Sequence, residues 1–416
     1  YMLSGMVDTL MLSSVSDQAV GAVGTANTYI GVFIIMFGVI SSGMVAVMSQ
    51  NIGAGRPGIA YQARQLGLVF NALTGILMSV VLAVFSGGIL RAVSIAPALL
   101  ESAETYLKIV GGASFLNALI PIFSSYLRVF GYTKHSLIGT VVGNVINIIL
   151  NSVFLFVFHW GVMGVATATV ISKVVNLIIV AAMGAVLIKA KQSPERAQPR
   201  RILAQIVKIG FPSAFETALY NVAMTFIVCF MNHMDTDGMN VTARSYAMQI
   251  ANFSYCVGAA LAQANAIMTG WRIGAKKYEE CDRGTRKAVI YGLVTATCFS
   301  VTFAITGRFI VHIFTNDIQM IELVVKLLVV DIFLEFGRVT NLVYGQALKT
   351  SGDAIFPVIM GAIFMYLFAV GGTYFLGIHM GLLAVGAYIA MAGDECARAV
   401  GMVLRWKSGK WKSKSL

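Results

Sequence analysis

Residues 137 to 158 read LIGTVVGNVINIILNSVFLFVF, and residues 162 to 187, just beyond His159-Trp160-Gly161, read VMGVATATVISKVVNLIIVAAMGAVL. The first stretch holds no Asp, Glu, Lys or Arg, and the second holds only Lys173. A helix rises about 1.5 Å per residue, so roughly 20 apolar residues cross the hydrocarbon core of a bilayer. Both stretches are long enough, and neither carries the charged residues of a water-facing surface.

Similar runs recur at 1 to 12, 26 to 48, 66 to 90, 105 to 127, 206 to 231, 241 to 268, 288 to 314, 320 to 346, 356 to 376 and 382 to 404. The whole chain is 58% hydrophobic and 12% charged, a balance no soluble surface tolerates. Its mean hydropathy of +0.81 agrees. The expected fold is therefore an all-α membrane protein of twelve transmembrane helices. The first run lasts half a membrane, so the numbered sequence is expected to begin inside its first helix.

The net charge of +12 would suggest nucleic acid in a soluble protein, but its placement follows topology. Arg56, Arg64, Arg128, Lys134, Lys189, Lys191, Arg200, Arg201, Arg272, Lys276, Lys277, Arg283, Arg286, Lys349 and the tail from Arg405 to Lys414 fall at alternate helix ends. The opposite ends hold little besides Arg91, Lys108 and Arg308. By the positive-inside rule both termini face the cytoplasm and the chain sits in an inner or plasma membrane. The tail, with its Trp and Lys, reads as an interfacial anchor touching membrane lipids.

Self-similarity at one offset organises the chain further. Ile52-Gly53-Ala54 returns as Ile273-Gly274-Ala275, Leu127-Arg128-x-x-Gly131 as Leu348-Lys349-x-x-Gly352, and Ala22 and Ala26 as Ala243 and Ala247, all displaced by about 221 residues. Gly161-Val162-x-x-Val165 returns as Gly381-Leu382-x-x-Val385, one residue out of register. Such a duplication predicts two pseudo-symmetric six-helix lobes in parallel repeat. Mapped backward, the repeat places roughly 15 to 20 residues of the first helix before residue 1. The expected divisions are an N-terminal lobe at 1–190, a polar, Pro-containing linker at 191–203, a C-terminal lobe at 204–404 and the basic tail at 405–416.

Four stretches carry a family resemblance: Val7-Asp8-Thr9-x-Met11, Gln50-Asn51-Ile52-Gly53-Ala54-Gly55, Leu334-Glu335-x-Gly337-Arg338-x-x-Asn341 and Leu348-Lys349-x-x-Gly352-Asp353. In their order, along essentially the whole chain, they resemble the multidrug and toxic compound extrusion (MATE) family. The resemblance implies an exporter whose lobes enclose a cavity that opens alternately to each side, exchanging substrate for sodium ions or protons. It also implies a cation site at Asp8 with Asn147 and Asn151 on one helix and Thr169 on the next. The family's second carboxylate there is Asn151 in this chain, which leaves Asp8 as the one charge and proton coupling open beside sodium.

An ionisable side chain near the bilayer centre costs roughly 3 kcal/mol on insertion scales, so each needs a partner or a task. Asp8 has no basic neighbour on its helix and suits the uptake and release of a proton or small cation. Asn144, Asn147 and Asn151 share a helix face at three-to-four spacing, where amide oxygens serve equally as cation ligands or as interhelical hydrogen-bond acceptors. Glu216, Tyr220 and Asn221 follow Pro212. Asp331, Glu335, Arg338 and Asn341 form the densest polar stripe, in which Glu335 and Arg338 have the spacing to neutralise each other. Asn252 and Tyr255 lie among Met248 and Phe253 on the run from 241, a surface suited to loose binding of organic compounds.

Other motifs are set aside. Gly53-Ala-Gly55-Arg-Pro-Gly58 satisfies a dinucleotide fingerprint but follows a membrane helix, so it reads as a tight turn. Asn240-Val-Thr242 is a glycosylation sequon on an expected outward loop. Cys229, Cys256, Cys298 and Cys396 are expected in helices and Cys281 in a basic loop, with no metal or disulfide spacing. No nucleophile, base or metal-ligand pattern suggests an enzyme. The expected function is thus secondary antiport of organic, cationic compounds, with no metal, no cofactor and no nucleic-acid partner, by a monomer. A lipid or lipid-linked oligosaccharide flippase is the alternative, for which Arg338, Lys173 and Arg244 offer few cations for a diphosphate.

Overall fold

Long helices account for the apolar runs. The computed structural model describes residues 11–12, 16–92, 97–189, 193–234, 238–313 and 315–415. In chain order the helices are α1 (Asp17–Gly53), α2 (Pro57–Val84), α3 (Ser86–Ala92), α4 (Pro97–Tyr106), α5 (Ser114–Val129), α6 (Thr133–Ser152), α7 (Gly161–Leu187), α8 (Pro199–Asn232), α9 (Met239–Gly274), α10 (Tyr278–His312), α11 (Ile318–Thr350), α12 (Ile355–Phe364) and α13 (Leu383–Lys407). Eleven of the twelve predicted runs are found in them; the first lies mostly outside the described residues.

The run at 105 to 127 is not one straight rod. Its helix widens into a π turn at Leu107–Gly111, and the segments Leu99–Gly111 and Ser114–Val129 meet at 41°. Wide turns also end the helices that begin with α6, at Val153–Val157, and with α12, at Thr373–His379.

Seven described helices are long and apolar enough to cross a membrane, or eight if the bent pair is one span. Side chains such as Leu73, Leu77 and Val84 on α2 and Ile290, Ile305 and Phe309 on α10 are exposed, as lipid contact requires. The helices that miss this test, α9, α11 and α13, are those that bury Arg244, Asp331, Glu335, Asp394, Glu395 and Arg398. Their polarity is directed inward.

The chain divides into two compact units, Tyr1–Met48 with Arg56–Gly210, and Ser49–Gly55 with Phe211–Leu416. The division falls within α8, which already starts at Pro199 inside the stretch read as linker. In the first unit α2 packs on α5, and α7 packs on both α5 and α6. In the second, α11 is the hub, packed on α9, α10 and α13. Ala22 and Ala26 are fully buried in a core of the first unit, as Ala243 and Ala247 are in the second.

The repeated glycine motifs are helix endings. Gly131 and Gly352 have φ of 86° and 97°, a left-handed conformation that costs little only without a Cβ. The amide after each reaches back to the first residue of its motif, Tyr132 N to Leu127 O at 2.9 Å and Asp353 N to Leu348 O at 3.0 Å. Gly55 repeats as Lys276, and here the conformation is kept without the glycine, with φ of 74° and 58°. Because a left-handed non-glycine residue costs about 1 to 2 kcal/mol, Lys276→Gly is expected to stabilise the protein by about 1 kcal/mol. Thermal aggregation of the detergent-purified variant measures it, and a lower midpoint than wild type would contradict it.

Three local readings are corrected. The sequon's Asn240 is in the first turn of α9, 3% exposed, with its Oδ1 accepting from Ala384 N at 3.0 Å. It is not a glycan acceptor on a loop. Cys281 is buried in the first turn of α10 rather than in a loop. The basic tail continues α13 to Lys407 and adds a 3₁₀ turn at Lys410–Lys414. Trp406 and Trp411 are buried and stacked, with centroids 4.2 Å apart, and Trp406 Nε1 donates to Asp282 Oδ1 at 2.9 Å. These rings pack inside the protein instead of lying in the membrane interface.

Candidate functional site: a charged cavity in the second unit

α11 begins at a capped N-terminus, where the Asp317 side chain accepts from Gln319 N at 2.9 Å. Three-to-four spacing then stacks Asp331, Glu335, Arg338 and Asn341 along one side of the hub helix. Arg338 Nη1 donates to Glu335 Oε1 at 2.5 Å, and its Nε lies 3.6 Å from Glu395 Oε1 on α13. Asn341 Nδ2 donates to Glu395 Oε2 at 2.9 Å. Arg398 lies 3.0 Å from Glu395 and grips both oxygens of Asp394 at 2.9 and 2.6 Å. The result is an alternating chain of charge, Glu335, Arg338, Glu395, Arg398 and Asp394, which ties α11 to α13. Alternation is what makes such burial tolerable, since each charge finds an opposite one within hydrogen-bond reach.

Beside this chain lies a cavity of about 440 Å³. Glu216, Tyr220, Asn252, Tyr255, Asp331, Arg338 and Asn341 line it, as do Lys349, Arg244, Glu395 and Arg398. Lys349 Nζ and Glu216 Oε2 are 2.6 Å apart and join α11 to α8. Arg338 also lies over the Tyr255 ring, 5.7 Å from its centroid. Asp331 is 4% exposed and, among the described residues, makes no ion pair. Apolar surface comes from Met224, Met248, Met365, Met391 and Met402, flexible side chains that fit varied shapes.

Most of the second-lobe residues singled out from sequence therefore meet around one cavity. Glu335 stands behind the wall, fully buried against Arg338. Asn221 does not join them; it is exposed, and its Nδ2 donates to Thr217 O at 2.9 Å along its own helix. Lys349, first read as a charge at a cytoplasmic helix end, is 14% exposed at its side chain and belongs to the cavity. Asp394, Glu395 and Arg398 were missed. Their signal was present as charges at three-to-four spacing within the apolar run from 382.

In the first unit Asn147 and Asn151 are buried a turn apart on α6, with Asn151 Nδ2 3.4 Å from Asn147 Oδ1. Thr169 is buried on α7, the helix packed against them. Asp8 lies outside the described residues. Among the described residues no group of His, Cys, Asp and Glu has the arrangement of a metal site.

The MatE family pattern matches residues 1–153 and 212–375. The uncharacterized transporter YisQ of Bacillus subtilis (strain 168) is 32% identical over 422 residues, spanning 100% of this chain and 92% of its own. The chain belongs to the MATE family of transporters. A probable multidrug resistance protein NorM of Thermotoga maritima is 26% identical over 437 residues, spanning 100% of this chain and 90% of its own. A crystal structure of a MATE protein in the straight conformation matches with a TM-score of 0.90 over 99% of this chain and 93% of that one, at 20% identity. The MATE fold accounts for the twelve helices read from the apolar runs and makes the chain a multi-pass integral membrane protein.

Proposed function

We propose that this MATE chain is a secondary antiporter that exports organic cations in exchange for protons or sodium ions by alternating access. The observation that carries the reading is the charge balance around the cavity. Three carboxylates, Glu216, Asp331 and Glu395, and four cations, Arg244, Arg338, Lys349 and Arg398, line it, and with Glu335 and Asp394 behind Arg338 and Arg398 the linked cluster holds five carboxylates against those four cations. A buried excess of carboxylate attracts a cation, whether a proton, a metal ion or a positively charged compound, and antiport follows when these compete for one charge. The probable multidrug resistance relative points the same way. Asp8, with Asn147, Asn151 and Thr169, is the proposed coupling site of the first lobe. The positive charge of the connecting segments supports a cytoplasmic position for both termini.

A lipid diphosphate flippase fits this cavity less well. Of its four lining cations three are already held by carboxylates, so a diphosphate would displace ion pairs rather than complete them.

Proteoliposomes with separately imposed proton and sodium gradients test the proposal, with ethidium as the cargo. Asp331→Asn keeps the shape and removes the unpaired charge, and it is expected to slow gradient-driven ethidium export about tenfold, the loss of one charge contact in a dry site. Wild-type export rates in this variant, or ethidium movement indifferent to both gradients, would remove the basis for the mechanism.

A further inference from the structure

A second cavity, of about 420 Å³, opens in the same unit where α10 begins and α13 ends, and it shares no lining residue with the first. Its floor is aromatic and closed. The stacked, buried rings of Trp406 and Trp411 meet Tyr344 and Tyr278 at centroid distances of 5.9 Å each. Trp406 Nε1 donates to Asp282 Oδ1 and Trp411 Nε1 to Trp406 O, both at 2.9 Å. Both indole N–H groups are thus used inside the protein, and polar recognition is left to the rim.

The rim carries four cations, Arg283, Arg286, Lys407 and Lys412, against two carboxylates, Glu279 and Asp282. Asp282 is already engaged, with Arg286 Nη2 on its Oδ2 at 2.6 Å and the Trp406 indole on its Oδ1. Among the described residues Arg283, Lys407 and Lys412 make no ion pair, and Lys412 lies over the Trp411 ring, 5.8 Å from its centroid. Three unclaimed cations therefore face one unclaimed carboxylate, Glu279. Lipid-facing surface starts at this rim: Ile290 and Val294 continue the face of α10 that carries Arg286, and Leu404 and Val400 the face of α13 that carries Lys407. All four are exposed.

We propose that this pocket binds the headgroup of an anionic phospholipid from the leaflet at this end of the helices, with its phosphate among Arg283, Lys407 and Lys412 and its acyl chains along Ile290 and Leu404. A guanidinium fork and two ammonium groups suit a phosphate diester, and basic side chains at a membrane surface draw anionic lipid toward them. Glu279 repels a doubly charged phosphate and accepts a hydrogen bond from a headgroup hydroxyl, so phosphatidylglycerol is the fitting chemistry. A lipid held there bridges α10 to the tail that follows α13. The inference needs the membrane fold but no particular transport mechanism.

Native mass spectrometry of the full-length, detergent-purified protein, titrated with phosphatidylglycerol and phosphatidylcholine of identical acyl chains, reads the first bound lipid directly. Phosphatidylglycerol is expected to bind on the order of tenfold tighter, the effect of an excess of two cations at a membrane surface. The double variant Arg283→Gln with Lys412→Gln is expected to lose most of that preference. Arg56→Gln with Lys134→Gln removes the same net charge from the first unit and is expected to keep it. Equal binding of the two lipids by wild type overturns the proposal, as does a monodisperse pocket variant that retains the preference or a first-unit variant that loses as much. Displacement of the lipid by millimolar inorganic phosphate would assign the pocket to a free anion and equally overturn the lipid reading.

Discussion

Arg398→Leu is expected to destabilise the protein by about 3–5 kcal/mol, the usual consequence of removing one member of a buried ion pair. Arg398 neutralises two neighbours at once, holding both Asp394 oxygens at 2.9 and 2.6 Å and Glu395 at 3.0 Å. Without it Glu395 keeps Asn341 at 2.9 Å and the Arg338 Nε at 3.6 Å, whereas Asp394, 2% exposed, keeps neither. The loss therefore falls mainly on Asp394, and removing that carboxylate as well should reverse most of it. Arg398→Leu alone should aggregate at a much lower temperature than wild type when heated in detergent. The double variant with Asp394→Leu should recover most of the difference, because apolar replacement of a complete ion pair is close to neutral. Equal stability of the single variant and wild type would mean that the Arg398 ion pairs within α13 do not contribute to the stability of the fold.

The same chain of charge marks how far the sequence could be read. Hydropathy and the positive-inside pattern are summed over many residues, so they located eleven of the described helices despite errors at the ends. The stripe from Asp331 to Asn341 was legible because four polar residues at helical spacing in an apolar run leave few other readings. Asp394, Glu395 and Arg398 obey the same spacing, but adjacent opposite charges near a chain end resemble an exposed helix terminus until α13 is seen packed on α11. Asn221 was misplaced because a single helix face cannot be told from its neighbour by spacing alone: Tyr220 lines the cavity and the next residue turns away. The burial of Trp406 and Trp411 depends on a 3₁₀ turn that stacks two rings, a tertiary event with no periodic signature. The π turns were equally hidden, since widening a helix by one residue leaves its hydropathy unchanged.

Gly274→Ala is expected to cost about 3 kcal/mol, the upper range for overpacking, because the obstacle is backbone rather than a movable side chain. A Cβ at Gly274 would run into the Gln50 carbonyl oxygen and lie 2.8 Å from Ala54 N. Reciprocally, a Cβ at Gly53 would run into the Trp271 carbonyl oxygen, with the Trp271 carbonyl carbon at 2.6 Å. Gln50 and Trp271 are themselves separated by the repeat interval, so the twin glycines of the Ile-Gly-Ala motif interlock the ends of α1 and α9 symmetrically. Nothing short of moving the two helices apart relieves such a contact. Gly38→Ala is the matched control on α1: a Cβ there meets nothing within 4 Å, and alanine's better helix propensity should make the change neutral or stabilising by roughly 0.5–1 kcal/mol. Heated detergent samples resolved by gel filtration should therefore rank Gly38→Ala at or above wild type and Gly53→Ala and Gly274→Ala well below it. If all three alanine variants melt together, the repeated motif owes nothing to close helix approach, and only the left-handed endings that follow it remain to explain its recurrence.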